Sequence, residues 1–263
     1  MTNNVVTEIV MKNLCIGCGV CAGLCPFGAL SIVFNKYGEL NPQLTGHCND
    51  ACTLCLDICP FFSKNPDENS LAMKAFGSRE QISRSEICGF YKGAFVGYSL
   101  IGDHRKNGSS GGIATWLLET ILKQGIADYA VCVSVCNDPH RFFSFSITSS
   151  ISTVRDSARS AYYPVDLSDA LRFIIKTPGR YAVTALPCFA KALRLAMLRR
   201  TMLRERITAI IGLVCGQLKS DLFARYVAGC AGMQTAPQQV NFRCKDTSRR
   251  ANDFYFSYKS GSE

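Results

Sequence analysis

A chain of 263 residues, 48% of them hydrophobic, can bury a sizeable core divided between one small and one medium unit. Its 29 Lys and Arg against 20 Asp and Glu leave a formal charge of +9, but no stretch interleaves aromatic with basic residues as a nucleic-acid surface does, so no nucleic-acid partner is expected. No apolar run approaches the length of a bilayer span and residues 1–13 do not resemble a signal peptide, so a cytoplasmic protein without a transmembrane segment is expected, in which 15 cysteines argue for metal ligation over disulfides.

In chain order, residues 5–11 alternate loosely and predict a short first strand. Eight cysteines follow in two runs: Cys15, Cys18, Cys21 and Cys25 with Pro26, then Cys48, Cys52, Cys55 and Cys59 with Pro60. Cys18, Cys21, Cys25, Pro26 and Phe27 recur 34 positions later as Cys52, Cys55, Cys59, Pro60 and Phe61, a self-similarity hard to obtain by chance. Three thiolates two residues apart can wrap one face of a cubane, and the fourth must come from elsewhere. The second run departs slightly, with three residues between Cys48 and Cys52. A zinc site needs only four ligands and no trailing proline, and a disulfide framework needs an oxidising compartment. The pattern resembles the two-cluster ferredoxins, in which the proline-linked cysteine of each run ligates the other run's cluster. Carried over, that implies one 4Fe-4S cluster on Cys15, Cys18, Cys21 and Cys59 and another on Cys48, Cys52, Cys55 and Cys25. Two oxidised cubanes, each about −2 with its thiolates, would bring the net charge to roughly +5.

Residues 28–44 read as strand, turn at 36–38 and strand, the ferredoxin connection, and Phe61 and Phe62 are expected near the clusters. This α+β ferredoxin-like module is expected to span 1–64, followed by a polar linker over 65–87. Residues 88–100 have strand composition. Ser109, Ser110, Gly111 and Gly112 then open a helix with Ile113, Trp116, Leu117, Thr120 and Ile121 on one face, ended by Gly125. Strands are expected at 128–135, 142–148, 181–185 and 207–214, helices at 167–176, 190–203 and 220–229, and final strands near 239–243 and 254–258. That alternation predicts an α/β domain over 88–263 with a mixed, largely parallel sheet. Basic residues crowd 172–206, which reads as solvated helix faces, a dock for an acidic electron carrier, or a seat for a phosphorylated cofactor.

Open α/β sheets bind ligands beyond the C-terminal ends of their strands. A glycine turn at a helix start either accepts an anion or serves as an ordinary cap. Cys188, in Leu186-Pro187-Cys188, and Cys215, in Val214-Cys215-Gly216, each follow a strand and can supply half the ligands of another cluster, where a lone buried cysteine is a small hydrophobe. His104 and His140, beside Asp103 and Asp138, are candidate general acids, against the usual reading of loop histidines as solvated.

The order of these segments, ferredoxin repeat, Gly89 to Tyr91, SGGIAT, SAYYPVD, ALPCFAKALR, IGLVCG and VNFRCKD, resembles the coenzyme F-420 hydrogenase/dehydrogenase beta subunit family over nearly the whole chain. The resemblance implies an iron-sulfur flavoprotein with FAD in the α/β domain and hydride exchange at the flavin. It implies Ser110, Gly111 and Gly112 in the flavin site with Tyr162 and Tyr163 nearby. Cys188 and Cys215 match family cysteines that can ligate a third 4Fe-4S cluster with a later C-x-x-C pair. That pair is absent, Cys230 and Cys244 lacking the spacing, so the chain is expected to be truncated at its C-terminus, with a third cluster only if such a pair exists. Cubanes move one electron and hydride carries two, a mismatch that flavin bridges. The implied function is an iron-sulfur flavin-dependent oxidoreductase served by a redox partner protein, ferredoxin-like or an oxidoreductase subunit. The alternatives are a non-catalytic 4Fe-4S electron-transfer subunit and a redox protein of bacterial polysaccharide biosynthesis.

Overall fold

The computed structural model of the chain describes residues 3–136, 138, 140–233, 237, 239–246, 248–250 and 253–259. Its first element corrects the expected strand at 5–11, because Val6–Val10 form a helical turn. The Asn4 side chain accepts the Val6 N–H at 2.9 Å, and the turn puts Val5 and Ile9 together in a small core with Cys21, Leu30 and Leu56. Four-residue spacing of the two buried side chains outweighs a loose alternation.

The first cysteine run ends in α1 (Val20–Gly23) and leads to an antiparallel hairpin of β1 (Leu30–Phe34) and β2 (Leu40–Leu44), as expected. The second run carries α2 (Leu54–Asp57). The polar stretch beyond it is not structureless. Asp67 accepts the Ser70 N–H at 2.7 Å and caps α3 (Glu68–Phe76), which buries none of its residues. The strand expected over 88–100 shrinks to β4 (Gly89–Tyr91), paired with β3 (Ser83–Ser85). Phe95, Val96 and Leu100 beyond it are exposed, since strand composition without a neighbour to pair with does not make a strand.

After α4 (His104–Asn107) and α5 (Ile113–Lys123), β5 (Tyr129–Val135) and β6 (Phe143–Thr148) form an antiparallel pair. Two short helices, α6 (Ile151–Asp156) and α7 (Ser168–Lys176), precede β7 (Tyr181–Ala185). The helix expected at 190–203 starts earlier, with Pro187 in its first turn, and divides at Arg200 into α8 (Pro187–Arg199) and α9 (Thr201–Arg206). β8 (Ile207–Gly212) and α10 (Asp221–Cys230) follow, and β9 (Gln239–Lys245) and β10 (Phe254–Lys259) form a separate hairpin. The central sheet has the order β6-β5-β7-β8, with β5, β7 and β8 parallel and β6 antiparallel. That is the mixed, mostly parallel sheet expected behind a ferredoxin-like region.

One core joins the cysteine-run helices to this sheet: Val20, Leu24 and Ile58 pack with Leu167, Leu171, Phe189 and Leu193. The approach is close. A Cβ on Gly23 would stand 2.9 Å from the Ser168 Cα, and the Leu167 N–H donates to the Cys18 carbonyl at 2.9 Å.

Most of the basic run over 172–206 is absorbed by the fold. Arg172 pairs with Asp169, Arg180 with Asp128, Lys191 with Glu68 and Arg199 with Asp57. Arg206 donates to the carbonyls of Ile174, Ile175 and Thr177 at 2.6, 2.9 and 3.1 Å, closing the C-terminal end of α7. Replacing Arg206 by Met strands those carbonyls. The expected cost is about 2 kcal/mol, read as a fall in Tm of roughly 4–8 °C. An unchanged Tm would mean that water serves the helix end equally well.

Candidate iron-sulfur and ligand sites

The cysteine loops turn their backbones towards sulfur. The Gly17 N–H donates to Cys15 Sγ and the Ala29 N–H to Cys25 Sγ, each at 3.4 Å. Neighbour relations cross between the runs: Cys18 and Cys21 feel Cys15 and Cys59, whereas Cys48 feels Cys25 and Cys52. Cys55 stands by Cys48 and Cys52 and also reaches Cys21. Cys15, Cys18, Cys21 and Cys59 line one hollow, walled by Val5, Ile9 and Ile58.

Burial in that apolar setting pushes the thiols of Cys18, Cys21 and Cys59 up, Cys59 to about 11. A sulfur held there as thiolate needs iron in place of the proton. Among the described residues no three His, Cys, Asp or Glu side chains are gathered closely enough for a single metal ion. Soft donors spaced around a hollow fit a cluster, not a mononuclear site.

Cys188 occupies the first turn of α8, just past the C-terminal end of β7, and lies within electrostatic reach of both Cys18 and Cys215. Cys215 is exposed on the loop after β8. Cys244 is buried elsewhere, its sulfur 3.7 Å from Ser257 Oγ, and Cys230 is exposed near Tyr226. Neither completes a set with Cys188 and Cys215.

The glycine turn is held by its own chain. Gly112 has φ +74, and a Cβ there would collide with the His104 carbonyl; the Gly111 carbonyl accepts the Ser99 N–H at 2.8 Å. Lys245 Nζ donates to the Arg105 and Ser110 carbonyls at 2.9 and 2.5 Å. Beside the turn lies a pocket of about 270 Å³ at the C-terminal end of β5. Its walls are Val133 to Val135, Asn107 at the end of α4, the segment 155–161, and Val240 to Phe242 of β9. The Ser160 N–H donates to Ser109 Oγ at 2.7 Å and ties the turn to the 155–161 wall. Arg159, at φ +93, reaches Asn241 Oδ1 at 3.2 Å. Burial together with the nearby Arg243 and Arg105 cations lowers the Lys245 ammonium. Basic groups thus gather around the turn, a setting suited to an anionic ligand.

Of the residues expected at a flavin, Ser110, Gly111 and Gly112 lie next to the pocket without lining it. Tyr162 packs on Phe242 of its wall at 5.5 Å between ring centroids. Tyr163 is buried among Phe34, Phe142 and Phe143, the last of which also lines the pocket. Its hydroxyl and Asp221 Oδ1 are both buried without a hydrogen-bond partner. Burial, and then the Asp221 charge, push the phenol up. His104 is not a solvated loop histidine but is buried against Glu119, whereas His140 is exposed.

Sequence reasoning missed Glu119. A glutamate four residues before Lys123 on a helix reads as a surface pair, yet its side chain is 3% exposed. The buried face of α5 centres on Leu118 with Ile121 and Leu122, not on Ile113 and Leu117. Arg155 hydrogen bonds hold the Glu119 carboxyl down to about 2 against the effect of burial, with Lys123 adding to them. Arg159 had no signal in the sequence, because a positive φ at arginine follows no residue preference.

Comparison with known proteins covers both parts of the chain. Residues 94–172 match the profile for the N-terminal part of the coenzyme F420 hydrogenase/dehydrogenase beta subunit, and 179–257 match that for its C terminus. Residues 8–31 match a 4Fe-4S binding domain. A subunit of the F(420)H(2) dehydrogenase of Methanosarcina mazei is 23% identical over 218 residues, covering 80% of this chain and 55% of the relative. Coenzyme F420-dependent sulfite reductase of Methanocaldococcus jannaschii is 26% identical over 190 residues, 71% of this chain and 26% of the relative. The chain therefore spans about half the length of the first and about a quarter of the second. A chain of the F420-reducing NiFe hydrogenase complex from Methanosarcina barkeri shows a partial likeness, with TM-score 0.48 and 18% identity over 57% of this chain and 55% of that one.

Proposed function

We propose a function from one premise: the chain belongs to the coenzyme F420 hydrogenase/dehydrogenase beta subunit family and carries its N-terminal 4Fe-4S binding domain. On our reading it relays electrons between two 4Fe-4S clusters and an FAD in the pocket beside the glycine turn, for hydride exchange with an organic substrate or a deazaflavin coenzyme.

The observation that carries this reading is a shared edge. Cys188, neighbour of Cys18, follows the C-terminal end of β7, and the pocket opens at the C-terminal end of β5, the parallel strand beside it. The hollow of Cys15, Cys18, Cys21 and Cys59 and the pocket thereby face one edge of one sheet. Cys48 lies in an exposed loop between His47 and Asn49, so its set is the one a redox partner protein can approach. In this scheme the cysteines hold iron and the N–H donors of Gly17 and Ala29 stabilise charge on sulfur. Arg159 and Lys245 supply positive charge for the anionic part of a bound cofactor. Flavin, when bound, converts one-electron into two-electron chemistry.

A second reading, an electron-transfer subunit without flavin, draws on the way the chain's own carbonyls close over Gly111 and Gly112. An iron and flavin count on anaerobically reconstituted protein separates the two. About eight irons and one FAD per chain support the flavoprotein, and about eight irons without flavin favour the subunit.

A further inference from the structure

We propose that Glu119 is the positioning residue of the pocket, a buried latch that holds two of its walls in register; this rests on reading the pocket as the ligand site. Its carboxylate meets two other elements of structure and its own helix at once. Oε2 takes His104 Nε2 at 2.9 Å and Arg155 Nε at 2.8 Å, and Oε1 takes Arg155 Nη2 at 2.7 Å and Lys123 Nζ at 2.6 Å.

Each partner leads directly to a wall. His104 begins α4, whose last residue Asn107 lines the pocket, and its carbonyl lies over Gly112 and accepts the Gly108 N–H at 2.9 Å. Arg155 lies in the last turn of α6, immediately before Ser157, Arg159 and Ser160. Glu119 sits between Leu118 and Leu122 on a helix whose neighbouring buried positions are apolar. A carboxylate is unfavourable there unless fully paired, and an apolar side chain of that size would pack the helix without the penalty. What the carboxylate adds, and a leucine cannot, is a link between 104–112 and 155–161. The polar groups facing it are His104 from α4, Lys123 from α5 itself and Arg155 from α6, and Lys123, half exposed, reaches neither wall.

Hydrogen exchange on the full reconstituted chain tests the latch. In Glu119→Gln, the amides of 108–112 and 157–161 should exchange together, about tenfold faster than in the unaltered chain, while those of the cysteine runs and of β7 keep their protection. Arg155→Met should free 157–161 alone, and Lys123→Met neither segment. If Glu119→Gln does not fold, Arg155→Met and His104→Asn decide, each freeing its own wall. Loosening confined to α5, spread over the whole chain, or absent from both walls overturns the proposal. FAD titrated by fluorescence gives a separate arm. Binding to Glu119→Gln should weaken about tenfold if the walls position the cofactor, and equal affinity in the two proteins overturns that role. Should the unaltered chain take no FAD, the flavin reading falls and the paired exchange decides the latch by itself.

Discussion

Cys59→Ala is expected to remove the cluster built mainly on the first cysteine run, lowering iron from about eight to about four per chain. The reason is spatial: Cys59 and its neighbours Cys15 and Cys18 line one hollow with Cys21, although Cys59 belongs to the other run. Iron content alone does not say which cluster is gone, so the comparison must be between variants. With crossed ligation, Cys18→Ala and Cys59→Ala leave the same residual paramagnetic signal after reduction, and Cys52→Ala and Cys25→Ala leave the other. If Cys59→Ala instead matches Cys52→Ala, each run holds its own cluster and the crossed assignment is wrong. Unchanged iron in Cys59→Ala would remove that residue from ligation altogether.

The second large effect is expected at Gly112→Val. The position has φ +74, where a β-branched residue is strained, and its Cβ would collide with the His104 carbonyl. Strain and displacement together should cost about 2–4 kcal/mol, a fall in Tm of roughly 5–15 °C. Moving that carbonyl moves His104 and the pocket wall beyond it, so on the proposed flavoprotein reading FAD affinity should fall by at least about tenfold while iron stays bound. Gly212→Ala is the control: a Cβ there meets open space, and both readouts should stay at their original values. Loss of iron along with flavin would indicate that the shared core of Val20, Ile58, Leu171 and Phe189 transmits the damage, and would count against cluster and pocket as separable sites. Retention of flavin would detach the glycine turn from the ligand site.

The features legible in the sequence depend on short-range spacing. The β1 and β2 hairpin follows from alternation around a turn, and the order of strands and helices from 128 onwards from periodicity and glycine or proline punctuation. The misread segments share a different cause. Residues 5–11 carry too weak an alternation to outweigh the Asn4 cap and the burial of Val5 with Ile9. Residues 92–100 have the composition of a strand but no partner. In α5 the apolar residues spread widely enough to suggest the wrong face, and the burial of Glu119 could not be read from them, because its partners His104 and Arg155 lie 15 and 36 residues away.

The eight N-terminal cysteines, the 4Fe-4S domain they imply, the mixed parallel sheet and the family were determined by the sequence alone, since cluster ligation and strand order leave local patterns that survive in one dimension. Only the tertiary structure decided that Cys188 lies beside Cys18, that Tyr163 is a core residue, and that one buried carboxylate joins two walls of the pocket. Those relations are contacts between distant segments, set by how helices and strands pack on a shared core. Residue spacing along the chain carries no record of them.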